Sequence, residues 1–91
     1  YDPVAGWEQT KEWTAHLHIK DWKTGGHAAG HDHGVLAGHG DGNIAHSIRD
    51  AVKRGYRGYA VMEPHLRGGG PTGGVTGPDL FAPAVEAFRA I

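Results

Sequence analysis

Apolar positions along the chain fall into five short groups, with long glycine-rich stretches after the second and the fourth. Val4 to Trp13 read as the end of an amphipathic helix, with Gly6 its weak position. Thr14-Ala15-His16-Leu17-His18-Ile19 alternates and stops at the charged pair Lys20-Asp21, which predicts a short strand. From Trp22 to Gly42 the glycines recur too often for a regular element, so a long loop is expected. Asn43 is placed to cap a helix in which Ile44, Ile48, Ala51 and Val52 share one face, and Gly55 is placed to end it. Tyr59-Ala60-Val61-Met62 is a compact apolar run before Glu63-Pro64, the pattern of a buried strand whose C-terminal end carries a carboxylate. Arg67 to Gly77 reads as a second glycine-rich loop. Leu80, Phe81, Ala84, Val85, Phe88 and Ile91 then return at helical spacing, and Pro83 is tolerable if that helix begins near Asp79 to Ala82.

The predicted order after the first helix is β-α-β-α, which calls for parallel strands joined by right-handed crossovers. Two strands cannot make a parallel sheet with covered faces and no exposed edge. The pattern therefore implies that the sheet continues elsewhere. At 91 residues the chain is one domain at most, and alone it buries only about 60–65 % of its unfolded surface. Its first residues, Tyr1-Asp2-Pro3, carry no initiator Met, so the expectation is a piece of something longer.

Composition narrows the chemistry. With no cysteine, disulfides, cysteine zinc sites and thiol catalysis are excluded. Nine Lys+Arg against ten Asp+Glu leave a net charge of -1, which gives neither nucleic acid nor an anionic membrane a hold. No run of about 18 apolar residues is present, and no charged-then-apolar leader, so a cytoplasmic chain is expected. The unusual counts are 16 Gly and 8 His, the latter pointing to metal or proton chemistry.

His16, His18 and Lys20 alternate on a strand and so project to one face. On an exposed edge they would simply be solvated, and His-x-His alone is a weak signal. Glu63 adds weight, because a carboxylate ending the most apolar strand needs a nearby cation. Ligands of parallel α/β sheets sit at strand C-termini, where the His18 and Glu63 side chains can converge. One imidazole and one carboxylate make half of a site for Mn²⁺, Mg²⁺, Co²⁺ or Zn²⁺. A second group, His27, His31, Asp32, His33 and His39, is either a solvated loop or a further metal site or lid. Gly38-His39-Gly40-Asp41-Gly42 looks like a phosphate-cradling loop, but no Gly-Lys-Ser/Thr follows and position 43 is Asn, so a nucleotide site is rejected. No Gly-x-Ser-x-Gly supports serine hydrolysis.

Four motifs, taken together, carry a resemblance. His16-Leu17-His18-Ile19-Lys20-Asp21, Gly38-His39-Gly40-Asp41-Gly42, Gly55-Tyr56-Arg57-Gly58 and Met62-Glu63-Pro64-His65 resemble the C-terminal part of the xylose isomerase-like TIM barrels. Within that superfamily the chain is most similar to sugar phosphate isomerase/epimerase proteins. The resemblance implies that the His-Ile-Lys-Asp strand is the seventh of a (β/α)₈ barrel and that Met62-Glu63-Pro64 ends the eighth. It also implies that His18 and Glu63 bind a divalent metal and that Glu63 moves a proton beside the substrate carbonyl, through an enediolate. Lys20, His65 and Arg67 are the candidate substrate contacts. A glutamate and an aspartate that complete the metal site in the family have no counterpart here. The acidic residue usual in the Gly-x-Gly loop is replaced by His39. A whole barrel takes about 250 residues, so this chain would cover the last third.

The expected partners are therefore a small sugar or sugar phosphate and the rest of the barrel, with homo-oligomerisation open for the complete protein. Two other readings stand beside this one. The endonuclease IV-like branch of the superfamily, which repairs abasic DNA with three zincs, has an Asp-x-His pair to which His31-Asp32-His33 bears some likeness. Lys20 stands where that branch has Asn, and the basic patch that DNA requires is missing. The other reading is a non-enzymatic His-rich metal-binding module built on His27, His31, His33 and His39.

Overall fold

The computed structural model describes residues 2–24, 33–67 and 76–91. Helix α1, Pro3–Thr10, has a start of its own. The Asp2 carboxylate accepts from the Val4 and Ala5 amides at 3.0 and 3.3 Å, and Pro3 fills a first-turn position whose amide would be unpaired. The segment expected to be only a helix end is thus a short capped helix, and Lys11–Trp13 continue it as a single 3₁₀ turn.

Strand β1, Leu17–Ile19, is shorter than the alternation predicted. It pairs in parallel with β4, Ala60–Met62, in the register Leu17–Ala60, His18–Val61 and Ile19–Met62. The expected long loop between Trp22 and Gly42 also needs correction. It contains β2, Asp21–Lys23, and β3, His33–Val35, which pair antiparallel. Glycine at position 34 hid that strand from a composition argument. It is there because a Cβ would lie 2.2 Å from the His65 carbonyl oxygen, so only glycine lets the two backbones approach.

Helix α2, Ile44–Lys53, ends as expected. Gly55 adopts φ +83°, its amide bonds to the Val52 carbonyl and the Tyr56 amide bonds to Ala51, a complete Schellman closure. Its start differs in mechanism from the expectation. Asn43 occupies the cap position in the left-handed region at φ 49°, with no side-chain capping bond. Helix α3, Pro78–Arg89, starts earlier than expected, so Pro83 lies inside it and forgoes the amide bond that position would make to Asp79.

Among the described residues the buried apolar set is Trp7, Ile19, Ala37, Ala51 and Ala84. Three of the five are alanine, so close backbone approach does more here than side-chain volume. The indole N–H of Trp7 donates to Asp50 at 2.7 Å and ties α1 to α2. The result is a mixed α/β arrangement whose parallel pair is bare on one side. Tyr59 is 79 % exposed and Val61 39 %, so β4 is not the buried strand its sequence predicts. The physical reason is that, among the described residues, β4 has β1 as its only strand neighbour.

Candidate functional site

The parallel pairing decides what can meet at the strand ends. Side chains two apart share a face, and His18 stands opposite Val61, so His16, His18 and Lys20 share their face with Tyr59, Val61 and Glu63. The His16 ring lies 5.1 Å from that of His18 and 6.4 Å from that of Tyr59. The Glu63 amide donates to the Ile19 carbonyl at 3.0 Å, which extends the ladder one residue past β4 and fixes where the carboxylate begins.

That carboxylate is the centre of the site. His18 Nδ1 lies 2.7 Å from Oε2, His65 Nε2 lies 3.0 Å from Oε1, and Lys20 Nζ lies 3.8 Å from Oε1. A carboxylate can only accept, so both ring nitrogens act as N–H donors. Hydrogen bonds from His18 and then His65 hold the Glu63 carboxyl down at about 2, against an ordinary 4.5, with Lys20 adding a weaker electrostatic pull. While Nε2 donates to Glu63, the other ring nitrogen of His65, Nδ1, is buried and has no hydrogen-bond partner among the described residues. Its backbone is also held in the left-handed region, at φ 46°.

Glu63 and His65 also line one end of an open cleft of about 570 Å³, whose other walls are Pro64, Thr76, Gly77, Pro78 and Phe81. Arg67 turns away from the carboxylate. Its guanidinium donates to Asp79 at 2.5 Å and to the Thr76 carbonyl at 2.9 Å, which lowers the Asp79 pKa. The structure thus gathers His18, Lys20, Glu63 and His65 and places Arg67 at the start of α3. Of the second histidine group, His33 and His39 are exposed on β3 and on the glycine loop. His27, His31 and Asp32 lie outside the described residues.

One residue was missed by sequence reasoning. Asp21 is 2 % exposed, and its two oxygens accept from four backbone amides: Trp22 at 2.9 Å, Gly38 at 2.9 Å, Gly40 at 2.9 Å and Gly42 at 3.2 Å. A Cβ on Gly40 would lie 2.3 Å from Oδ1, and one on Gly42 2.9 Å. The glycine spacing that suggests a phosphate cradle is therefore a cradle for the chain's own carboxylate. Asp41 returns the tie, accepting from Lys23 Nζ and from the Thr24 amide and hydroxyl at 2.7–2.9 Å. Those bonds, Lys23 first, hold its carboxyl at about 2. The available signal was the co-occurrence of a charged residue closing a strand with a Gly-x-Gly-x-Gly run.

Could these residues hold a metal? Among the described residues no group of three or more His, Cys, Asp or Glu is arranged to do so. His18 and Glu63 are of the nitrogen and oxygen types that divalent ions take, but Nδ1 gives its proton to the hydrogen bond with Oε2, so binding an ion through both atoms would replace that bond. Searches against protein-family models, curated proteins and solved structures match nothing to this chain. Among the described residues no helix is long and apolar enough to cross a membrane.

Proposed function

We propose that this chain is the C-terminal β-α-β-α portion of a (β/α)₈ barrel of the xylose isomerase-like kind, belonging to a metal-dependent sugar or sugar phosphate isomerase or epimerase. The observation that carries the reading is the meeting of His18 and Glu63, 2.7 Å apart, at the C-terminal ends of two parallel strands. The bare sheet face supports it too: in a closed barrel, further strands would cover Tyr59 and Val61 and supply the remaining ligands. Cytoplasmic location and a sugar-sized partner are part of the same proposal.

His18 and Glu63 would hold the divalent ion, which when bound would polarise the substrate carbonyl. Glu63 stays ionised at neutral pH, as both ligation and proton acceptance require. The same two imidazole bonds make it a weak base, so proton acceptance calls for His18 to release Oε2. Lys20 sits on the far oxygen, where it stabilises negative charge without blocking Oε2. His65 keeps the carboxylate turned toward the cleft.

The test is exchange of the carbon-bound hydrogen next to the carbonyl of free ketoses in D₂O, with Mn²⁺, Mg²⁺, Co²⁺ or Zn²⁺ added. A protein that joins this segment to its further strands is expected to exchange that hydrogen only with metal present. Exchange that is indifferent to metal, or absent with every ketose and metal, contradicts the reading. The 91-residue chain alone is expected to be inactive, since half of the ligand set is lacking.

A further inference from the structure

The amides of Gly38, Gly40 and Gly42 point at one spot, and a carboxylate occupies it. Alternate amides of a glycine-rich loop that turn inward in this way form a concave anion site, the same physics that binds phosphate in nucleotide loops. Here the fit is specific on two independent grounds. Each oxygen receives two N–H donors, Oδ1 from Trp22 and Gly42 and Oδ2 from Gly38 and Gly40. The space is also closed so tightly that Gly40 and Gly42 have no room for a methyl group beside Oδ1. Two N–H donors to each of two oxygens match a planar carboxylate better than a tetrahedral phosphate.

We propose that the Gly38–Gly42 loop is a carboxylate-binding site in its own right, which the chain fills with Asp21 and which, once emptied, takes a small external carboxylate of matching size. The occupant comes from the strand that pairs with β3, and the last donor, Gly42, directly precedes the cap residue of α2. The internal ligand therefore fastens three elements at one point: the start of β2, the loop and the entry to α2. With Asp21 in place, these amides are already committed to the chain's own carboxylate. The inference is independent of the proposed isomerase activity, since it involves neither His18 nor Glu63.

Size matching provides the test. Asp21→Gly removes the whole CH₂–COO⁻ group, which acetate replaces, whereas Asp21→Ala leaves the methylene carbon as a methyl, so that only formate fits. Thermal unfolding of both variants is followed in acetate, formate, phosphate and chloride at equal ionic strength. At about ten times its dissociation constant, the matching carboxylate is expected to raise Tm by roughly 6–11 °C over chloride. Acetate and formate should act on Asp21→Gly, formate alone on Asp21→Ala, phosphate on neither, and none of them on the wild-type chain. If a variant is unfolded in chloride, the readout becomes recovery of its far-ultraviolet circular dichroism on adding the carboxylate. No gain over chloride in either variant, or an equal gain in the wild-type chain, overturns the proposal. So does rescue of Asp21→Ala by acetate as strong as that by formate.

Discussion

Asp21 and Glu63 each follow a strand of the same parallel pair, yet they are held in opposite ways. Asp21 is sealed, and among the described residues its four donors are all backbone amides. Glu63 keeps a side-chain exposure of 39 %, faces a cleft, and is held by two imidazoles and an ammonium. Backbone donors cannot move or titrate, so the carboxylate they bind is a fastening. Side-chain donors can rotate, exchange partners or change protonation, so the carboxylate they bind remains open to chemistry. The contrast shows how two acids in similar strand positions come to be held in a fixed and in an open way.

The largest expected effect breaks the sealed side. Asp21→Ala leaves three converging loop amides without an acceptor, and unpaired buried donors cost about 1–3 kcal/mol each. Allowing for relaxation, urea unfolding should show a loss of about 3–5 kcal/mol, a large share of what a domain of this size has. A loss within about 0.5 kcal/mol would mean that the cradle is dispensable.

Next comes the open side. Under the proposed function, Glu63→Gln keeps the shape but cannot take up a proton as a carboxylate does, so turnover of the proposed complete barrel should fall about 10²–10⁴-fold. His18→Ala should weaken metal first, with activity partly recovered by excess metal. Unfolding of the 91-residue chain should barely register Glu63→Gln, and this is the sharpest contrast with Asp21→Ala. Steady-state kinetics over a metal series, beside urea unfolding of both variants, measures it.

A smaller effect separates tight from open glycines. Gly40→Ala must push its methyl against the Asp21 carboxylate, and overpacking of this kind costs typically 1–3 kcal/mol. Gly55→Ala meets nothing within 4 Å and carries only the strain of its positive φ, about 1 kcal/mol. Equal losses in the two would remove the steric argument for the loop.

Much of this frame was legible in the sequence, and particular residues show where legibility ends. His18 and Glu63 could be paired in advance because parallel strands of a β-α-β unit carry their C-termini to one edge, whatever the details of packing. Gly55 could be placed because a helix followed by one positive-φ position leaves few options. The β2–β3 pair was illegible because Gly34 has no side chain to signal a strand, and its reason, the His65 carbonyl, lies 31 positions away. Asp21 reads as an ordinary charged strand end until the loop folds over it. The exposure of Tyr59 and Val61 was illegible for a different reason: an apolar run reads as buried, whereas among the described residues β4 has only β1 beside it.

The smallest expected effect is on acid stability. Glu63 titrates at about 2 in the folded chain, against 4.5 ordinarily, so its contribution is present above pH 4.5 and is lost as the pH falls toward 2. Glu63→Gln should flatten the stability profile over that window and nowhere above it, and added salt should shrink the difference, because the group is solvent-exposed. Thermal melts between pH 2 and pH 6 at two salt concentrations measure this.

Glu63 and His18 form a solvent-open carboxylate–imidazole pair, and Mn²⁺ titration followed by NMR measures whether that pair takes a metal ion. The first resonances broadened by the paramagnetic ion are expected to belong to His18 and Glu63. Broadening there should disappear in His18→Ala and Glu63→Gln, while the Gly38, Gly40 and Gly42 amides stay sharp. Broadening that survives both substitutions and centres on His27, His31, His33 and His39 would contradict it, and would assign the metal chemistry to the histidine-rich loop.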